Sequence, residues 1–196
     1  MRKIDFDKIG TDFQKEVDEI KKYLLECKRA FNEKDQYLSN SYEYAIIALY
    51  KAFEIFAYKI IVGCINHDNT QVEKYYGVSF GKHISDDMCD FILTKGGYFD
   101  FHQRSDLIKQ CKQHIGNTYG IVDILKKEEY QQPLDELSAF RNFAAHSSRQ
   151  SKEKVKELLQ IKRIKSIGSY LKRQNRFEDI ANKLCKLATE IVAATK

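Results

Sequence analysis

The sequence predicts an all-α protein that folds as one helical bundle. Its 196 residues suffice for one domain with a full hydrophobic core, so 1–196 is treated as a single domain. The chain has one proline and nine glycines, and long stretches therefore lack the residues that end helices. Apolar residues recur at intervals of three and four positions, and no segment alternates for long enough to indicate a strand.

Two long helices are predicted in the first third of the chain. The first covers about 11–34, where the apolar stripe consists of Phe13, Val17, Ile20 and Leu24. The second covers about 39–66, and Ser39 or Ser41 is suited to cap it. One of its faces carries Ala45, Leu49, Ala52, Phe56 and Ile60, and another carries Ile46, Tyr50, Phe53, Ala57 and Ile61. Two apolar faces indicate a central helix that is covered either by its own chain alone or also by a second subunit.

Shorter elements are predicted in the middle of the chain. Residues 67–82 form a connection, and a helix that opens at 85–87 ends at Gly96. A further helix covers about 103–127, with a break at Gly116. These elements carry no motif of their own.

The last third is predicted to contain the functional segment. Pro133 is suited to a first helical turn, so a helix is expected over about 133–147. A basic helical stretch follows from Ser151 and is interrupted at Gly168. A final helix carries the apolar stripe Phe177, Ile180, Leu184, Leu187 and Ile191.

Composition favours a cytoplasmic protein without a membrane helix. The most apolar stretch, 45–65, is interrupted by Lys51, Glu54 and Lys59, which a lipid-facing span would rarely carry. No apolar run follows the first positive charges, so no secretory signal is expected. The five cysteines are odd in number and scattered, which indicates reduced thiols. No cofactor and no metal site is predicted.

Positive charge is concentrated in one segment. Residues 149–176 contain ten Lys or Arg against two Asp or Glu, a net +8, whereas the whole chain carries +5. Such a segment predicts a polyanionic partner such as RNA. A solvated, lysine-rich helix face is the alternative that charge alone leaves open.

The segment Arg141 to His146, with the sequence Arg-Asn-Phe-Ala-Ala-His, combines two chemically useful groups. A guanidinium can hold a phosphate, and an imidazole can move a proton near neutral pH. On a regular helix Arg141 falls within the apolar face of Leu134 and Leu137, where an unpaired charge would be costly. We therefore expect this face to open on a cleft or an interface.

These residues resemble the Arg-x4-6-His motif of the HEPN superfamily of α-helical domains, in which Asn, Asp or His often follows the arginine. The order of a long apolar helix before the motif helix is also similar. The resemblance implies a HEPN-like bundle with a metal-independent endoribonuclease site at a homodimer interface. It also implies a role as a toxin, with an antitoxin, or in phage defence. Ser148 stands where the branch paired with nucleotidyltransferases has tyrosine, which argues against that branch.

The resemblance assigns catalysis to Arg141 and His146, with Asn142 in support. In this mechanism the 2′-hydroxyl of RNA attacks the adjacent phosphate, His146 transfers a proton and Arg141 stabilises the phosphate charge. The basic residues proposed to contact the RNA backbone are Arg149, Lys152, Lys172, Arg173 and Arg176.

Several alternatives remain open at this point. His146 can serve only to stabilise a helix C-terminus, and Arg141 can form a buried pair with Asp135, Glu136 or another acid. A metal shared by Cys111 and His114 is a weaker alternative, as is a ligand set around His83. At the level of function, the alternatives are a non-catalytic RNA- or nucleotide-binding module and a protein-interaction scaffold.

Overall fold

The computed structural model describes residues 4–32, 34–81 and 84–196, and these residues form ten helices and no strand. The helices are α1 (Phe6–Ala30), α2 (Gln36–His67), α3 (Thr70–Tyr76), α4 (Asp86–Thr94), α5 (Arg104–His114), α6 (Ile121–Lys126), α7 (Glu128–His146), α8 (Arg149–Leu159), α9 (Ile167–Leu171) and α10 (Arg176–Ala194). The prediction of an all-α bundle is confirmed.

Helix α2 is the centre of the bundle. Both of its predicted apolar faces are buried, and they are covered by α1, α4, α7, α9 and α10 of the same chain. Phe13 of α1, for example, packs on Phe53 and Phe56 with ring centroids 5.9 and 5.1 Å apart. The second apolar face therefore gives no argument for a second subunit.

The caps of the two long helices differ from the prediction. Helix α1 begins at Phe6 because the Asp5 side chain accepts a hydrogen bond from the Lys8 amide. Helix α2 begins at Gln36 because Asp35 accepts one from the Tyr37 amide. The serines predicted as caps are buried inside α2. An apolar stripe locates the middle of a helix better than its ends.

The middle of the chain follows the prediction more closely. Ser85 caps α4, and the predicted break at Gly116 separates α5 from α6. The predicted connection 67–82, however, contains the short helix α3.

No helix among the described residues is long and apolar enough to cross a membrane. His83 lies outside the described residues.

Helix α7 begins at Glu128, so the prediction that Pro133 starts it was wrong. Pro133 lies in the helix interior, where it removes one backbone hydrogen bond. The first turn is held by contacts to α10 instead. Tyr130 is fully buried, and Glu129 forms ion pairs with Lys183 and Lys186. The helix ends at His146, within the predicted bounds.

Gly168 lies within α9 and does not interrupt a helix, which corrects the prediction. The basic stretch divides earlier, because α8 starts at Arg149 behind its cap Ser148 and ends at Leu159. A Cβ on Gly168 would overlap the backbone carbonyl of Ser39 on α2. Glycine is therefore required by the close approach of two helices.

Candidate functional site

Arg141 projects from α7 onto an aromatic ring of α2. Its guanidinium carbon lies 4.6 Å from the centroid of Tyr50, a cation–π contact. Arg141 Nη1 donates a hydrogen bond of 2.8 Å to Asn142 Oδ1. The side chain is half-buried, and no carboxylate of a described residue forms an ion pair with it. Arg141 thus keeps N–H donors available to an anionic ligand.

The Tyr50 side chain is itself held by two residues of the loop between α4 and α5. Phe101 stacks on it at 5.3 Å between centroids, and the Tyr50 hydroxyl lies 2.6 Å from the Phe101 carbonyl oxygen. The same hydroxyl lies 2.9 Å from Asp100 Oδ1. Burial first, and then Asp100, raise the pKa of Tyr50 well above its ordinary value. Tyr50 is therefore a neutral, immobilised platform that sets the position of Arg141.

The predicted apolar face of α7 becomes more exposed towards its C-terminal end, and its opening on a cleft or an interface stays a prediction. Leu134 and Leu137 are fully buried, whereas Ala145 is exposed. The alternative in which Arg141 pairs with an acid of its own helix was wrong. Glu136 instead accepts a hydrogen bond from Gln132.

Glu54 lies one turn after Tyr50 and adds a second carboxyl group near Arg141. Burial, followed by repulsion from Asp100, raises the pKa of Glu54, and the nearby Arg141 lowers it by less. The ionised form of Glu54 is therefore less stable in the folded protein than in the unfolded chain.

Replacing Glu54 with glutamine is expected to raise the melting temperature at pH 7, because it removes the buried carboxylate and its repulsion from Asp100. The difference should disappear below about pH 4, where glutamate is protonated in both states. Thermal unfolding followed by circular dichroism at both pH values measures this. Glu157→Gln, on the exposed surface of α8, is the matched control. A lower melting temperature for Glu54→Gln at pH 7 would show that attraction to Arg141 dominates.

His146 is the last residue of α7 and is exposed. Its side chain makes no hydrogen bond or ion pair with the described part of the chain, and Ser147 follows it in a left-handed conformation that ends the helix. On a regular helix the Cα atoms of Arg141 and His146 are about 9 Å apart, with their side chains about 140° apart. Arg141 and Asn142 are thus hydrogen-bonded to each other, whereas His146 lies apart from them at the exposed C-terminus of α7. A purely helix-stabilising role for His146 is compatible with this position.

The five basic residues predicted to contact RNA fall into two groups. Arg149 and Arg173 are exposed, and Lys152 is half-exposed. Lys172 donates to Ser39 Oγ at 2.9 Å. Arg176 stacks on the Tyr170 ring at 3.9 Å and donates to its carbonyl oxygen. The last two side chains therefore hold the fold together around α9.

The candidate metal pair of Cys111 and His114 has both imidazole nitrogens engaged. His114 Nδ1 lies 2.9 Å from the Gln110 carbonyl oxygen, and Nε2 lies 3.4 Å from the Tyr76 hydroxyl. Burial raises the pKa of Cys111 to about 12 and lowers that of His114. This pair is therefore part of the packed interior.

Sequence reasoning missed two residues that are connected to Arg141 through Tyr50, namely Asp100 and His102. They lie in the loop between α4 and α5, where Asp100 Oδ2 is 3.5 Å from His102 Nδ1. The only signal in the sequence was an Asp-x-His spacing in a short connection, which is weak. The contact between Phe101 and Tyr50 brings this loop to the site.

No family model, curated protein or solved structure matches this chain. The resemblance of the Arg141–His146 segment to the HEPN motif therefore stays a prediction.

Proposed function

We propose that this protein is a metal-independent endoribonuclease of HEPN type. The observation that carries the proposal is the environment of Arg141. Its guanidinium is half-buried, held by Tyr50 and Asn142, and without a carboxylate partner among the described residues. A fixed cation of this kind is suited to a phosphate, which accepts several N–H donors at once.

In the proposed reaction RNA supplies its own nucleophile, the 2′-hydroxyl next to the scissile phosphate. Arg141 donates hydrogen bonds to the phosphate oxygens as negative charge builds on them, and the amide nitrogen of Asn142 adds another donor. The 2′-oxygen bonds to phosphorus and its proton passes to a base or to solvent, while the bond from phosphorus to the 5′-oxygen breaks and His146 gives a proton to that oxygen. The products are a 2′,3′-cyclic phosphate and a 5′-hydroxyl.

The surroundings of His146 support an RNA substrate. Arg149 and Lys152 lie in the first turn of α8, directly after the corner that ends α7. Helix N-termini favour anions, and the two cations add to this preference. Of the five basic residues, the exposed Arg149 and Arg173 and the half-exposed Lys152 are the ones proposed to contact the RNA backbone. A homodimer through the motif face and an antitoxin or defence-system partner are part of the same proposal.

The test is incubation of purified protein with single-stranded RNA in excess EDTA. Wild-type protein is expected to cleave the RNA and leave cyclic phosphate ends, and His146→Ala is expected not to. Chemical analysis of the product ends identifies the reaction. Cleavage that persists unchanged in His146→Ala would assign it to another site or to a contaminant.

Two other outcomes would select the alternative functions. Salt-sensitive RNA binding without cleavage would identify a binding module that uses the same Arg141 surface. No RNA affinity at physiological salt would favour a protein-interaction scaffold. Exposed aromatic residues on α2, such as Tyr37 and Tyr44, would then be the first surface to examine.

A further inference from the structure

The loop between α4 and α5 places a carboxylate and an imidazole beside the Arg141 site. Phe101 is buried and anchors this loop on Tyr50. Asp100 and His102, on either side of it, remain on the surface. Asp100 bridges the Tyr50 hydroxyl at 2.9 Å and His102 Nδ1 at 3.5 Å through its two oxygens. A continuous chain of contacts thus joins His102, through Asp100, to the Tyr50 ring on which Arg141 stacks.

His102 also lines a groove of about 270 Å³ between this loop, α7 and α8, to which α7 contributes Asp135 and Ala139. On a regular helix Asn142 and His146 follow Ala139 along the same stripe of α7. Asn142 is hydrogen-bonded to Arg141. Along this stripe the pair therefore lies between Ala139, which borders the groove of His102, and His146.

We propose that His102 is a second proton-transfer residue of the RNA-cleaving site, contributed by the same chain as Arg141. This inference rests on the proposed ribonuclease function. With a phosphate on Arg141 and Asn142, the proposal places His102 towards one end of the α7 stripe and His146 towards the other. In-line displacement needs a base and an acid on opposite sides of phosphorus, and one chain supplies both.

The roles follow from the contacts of the two histidines. Asp100 faces His102 Nδ1, which favours the tautomer protonated there and leaves the lone pair on Nε2. Nε2 accepts the proton of the 2′-hydroxyl while the 2′-oxygen forms its bond to phosphorus. The bond from phosphorus to the 5′-oxygen breaks, and the protonated imidazole of His146 gives its proton to that oxygen.

Charged groups of both signs surround the His102 imidazole. Asp100 is in direct contact with the ring, and the groups that face His102 from α5, α7 and α8 are Asp106, Asp135, Lys154 and Glu157. Because Asp100 is the charged group in contact with the ring, a change at Asp100 tests what orients the imidazole.

His102→Ala is expected to slow RNA cleavage in EDTA by about 100-fold, the lower end of the usual contribution of a general base. Ser105→Ala, an exposed neighbour at the start of α5, is the matched control and should cleave at the wild-type rate. If wild-type protein cleaves and His102→Ala equals Ser105→Ala, this inference is overturned while the proposed function stands. If wild-type protein does not cleave, both are overturned.

Asp100→Asn tests the positioning role. It is expected to lower kcat about 10-fold with KM unchanged, since it disturbs the tautomer but not phosphate binding. In the His102→Ala background the same change should have no further effect on kcat, because asparagine keeps an oxygen that can accept from the Tyr50 hydroxyl and only the contact with the imidazole is altered. Additive losses would show that Asp100 acts on the fold rather than on His102.

Mixing two impaired variants tests whether the residues act within one chain. A mixture of His102→Ala and Arg141→Ala proteins should cleave no faster than the two variants do separately, since neither chain carries a complete set. Restored cleavage would show that His102 and Arg141 meet across two subunits, and would overturn the same-chain assignment. Equal melting temperatures of the variants are the control for folding.

Discussion

Arg141→Lys is expected to cleave RNA about 100- to 1000-fold more slowly than wild-type protein while remaining folded. Lysine keeps the positive charge but not the planar fork. Arg141 stacks on Tyr50 and donates to Asn142 at the same time, and an ammonium cannot do both and still present a pair of donors to a phosphate. Single-turnover cleavage rates at saturating protein measure the loss without interference from product release.

The matched control is Arg29→Lys on α1. Arg29 is exposed and pairs with Glu26 on the same helix, so its replacement should leave cleavage unchanged. Wild-type cleavage by Arg141→Lys would show that charge alone suffices at this position. The stacked geometry would then have no catalytic significance.

Gly168→Ala is expected to destabilise the protein by about 3 kcal/mol, at the upper end for overpacking a well-packed contact. The added methyl group would meet the Ser39 carbonyl on α2, which is backbone and cannot rotate away. Separating α9 from α2 would loosen the buried side chains of Ile167 and Leu171. For a chain of this length the melting temperature should fall by about 6–12 °C.

Gly81→Ala is the control for this change. A Cβ at Gly81 meets no atom within 4 Å, and the position is exposed. Its replacement should leave the melting temperature unchanged or raise it slightly, since alanine restricts the unfolded chain. Equal melting temperatures for Gly168→Ala and wild-type protein would mean that α9 can shift at little cost.

The helical class and the position of the motif were predictable from the sequence, because both depend on neighbours within a few positions. Helical spacing of apolar residues identified α1, α2 and α10, and Gly116 marked the break between α5 and α6. Boundaries were less predictable. Pro133 is a good first-turn residue, but the burial of Tyr130 against distant helices extends α7 beyond it.

The sequence by itself determined an all-helical chain with an arginine, an amide and a histidine at the end of one helix. Only the tertiary structure decided what surrounds that arginine. Tyr50 is far from Arg141 along the chain and reaches it because α2 packs against α7. Phe101 buries its ring against Tyr50 and thereby brings Asp100 to the Tyr50 hydroxyl. Spacing rules act within a few turns of a helix, whereas the burial of an aromatic ring brings together segments that no local pattern connects.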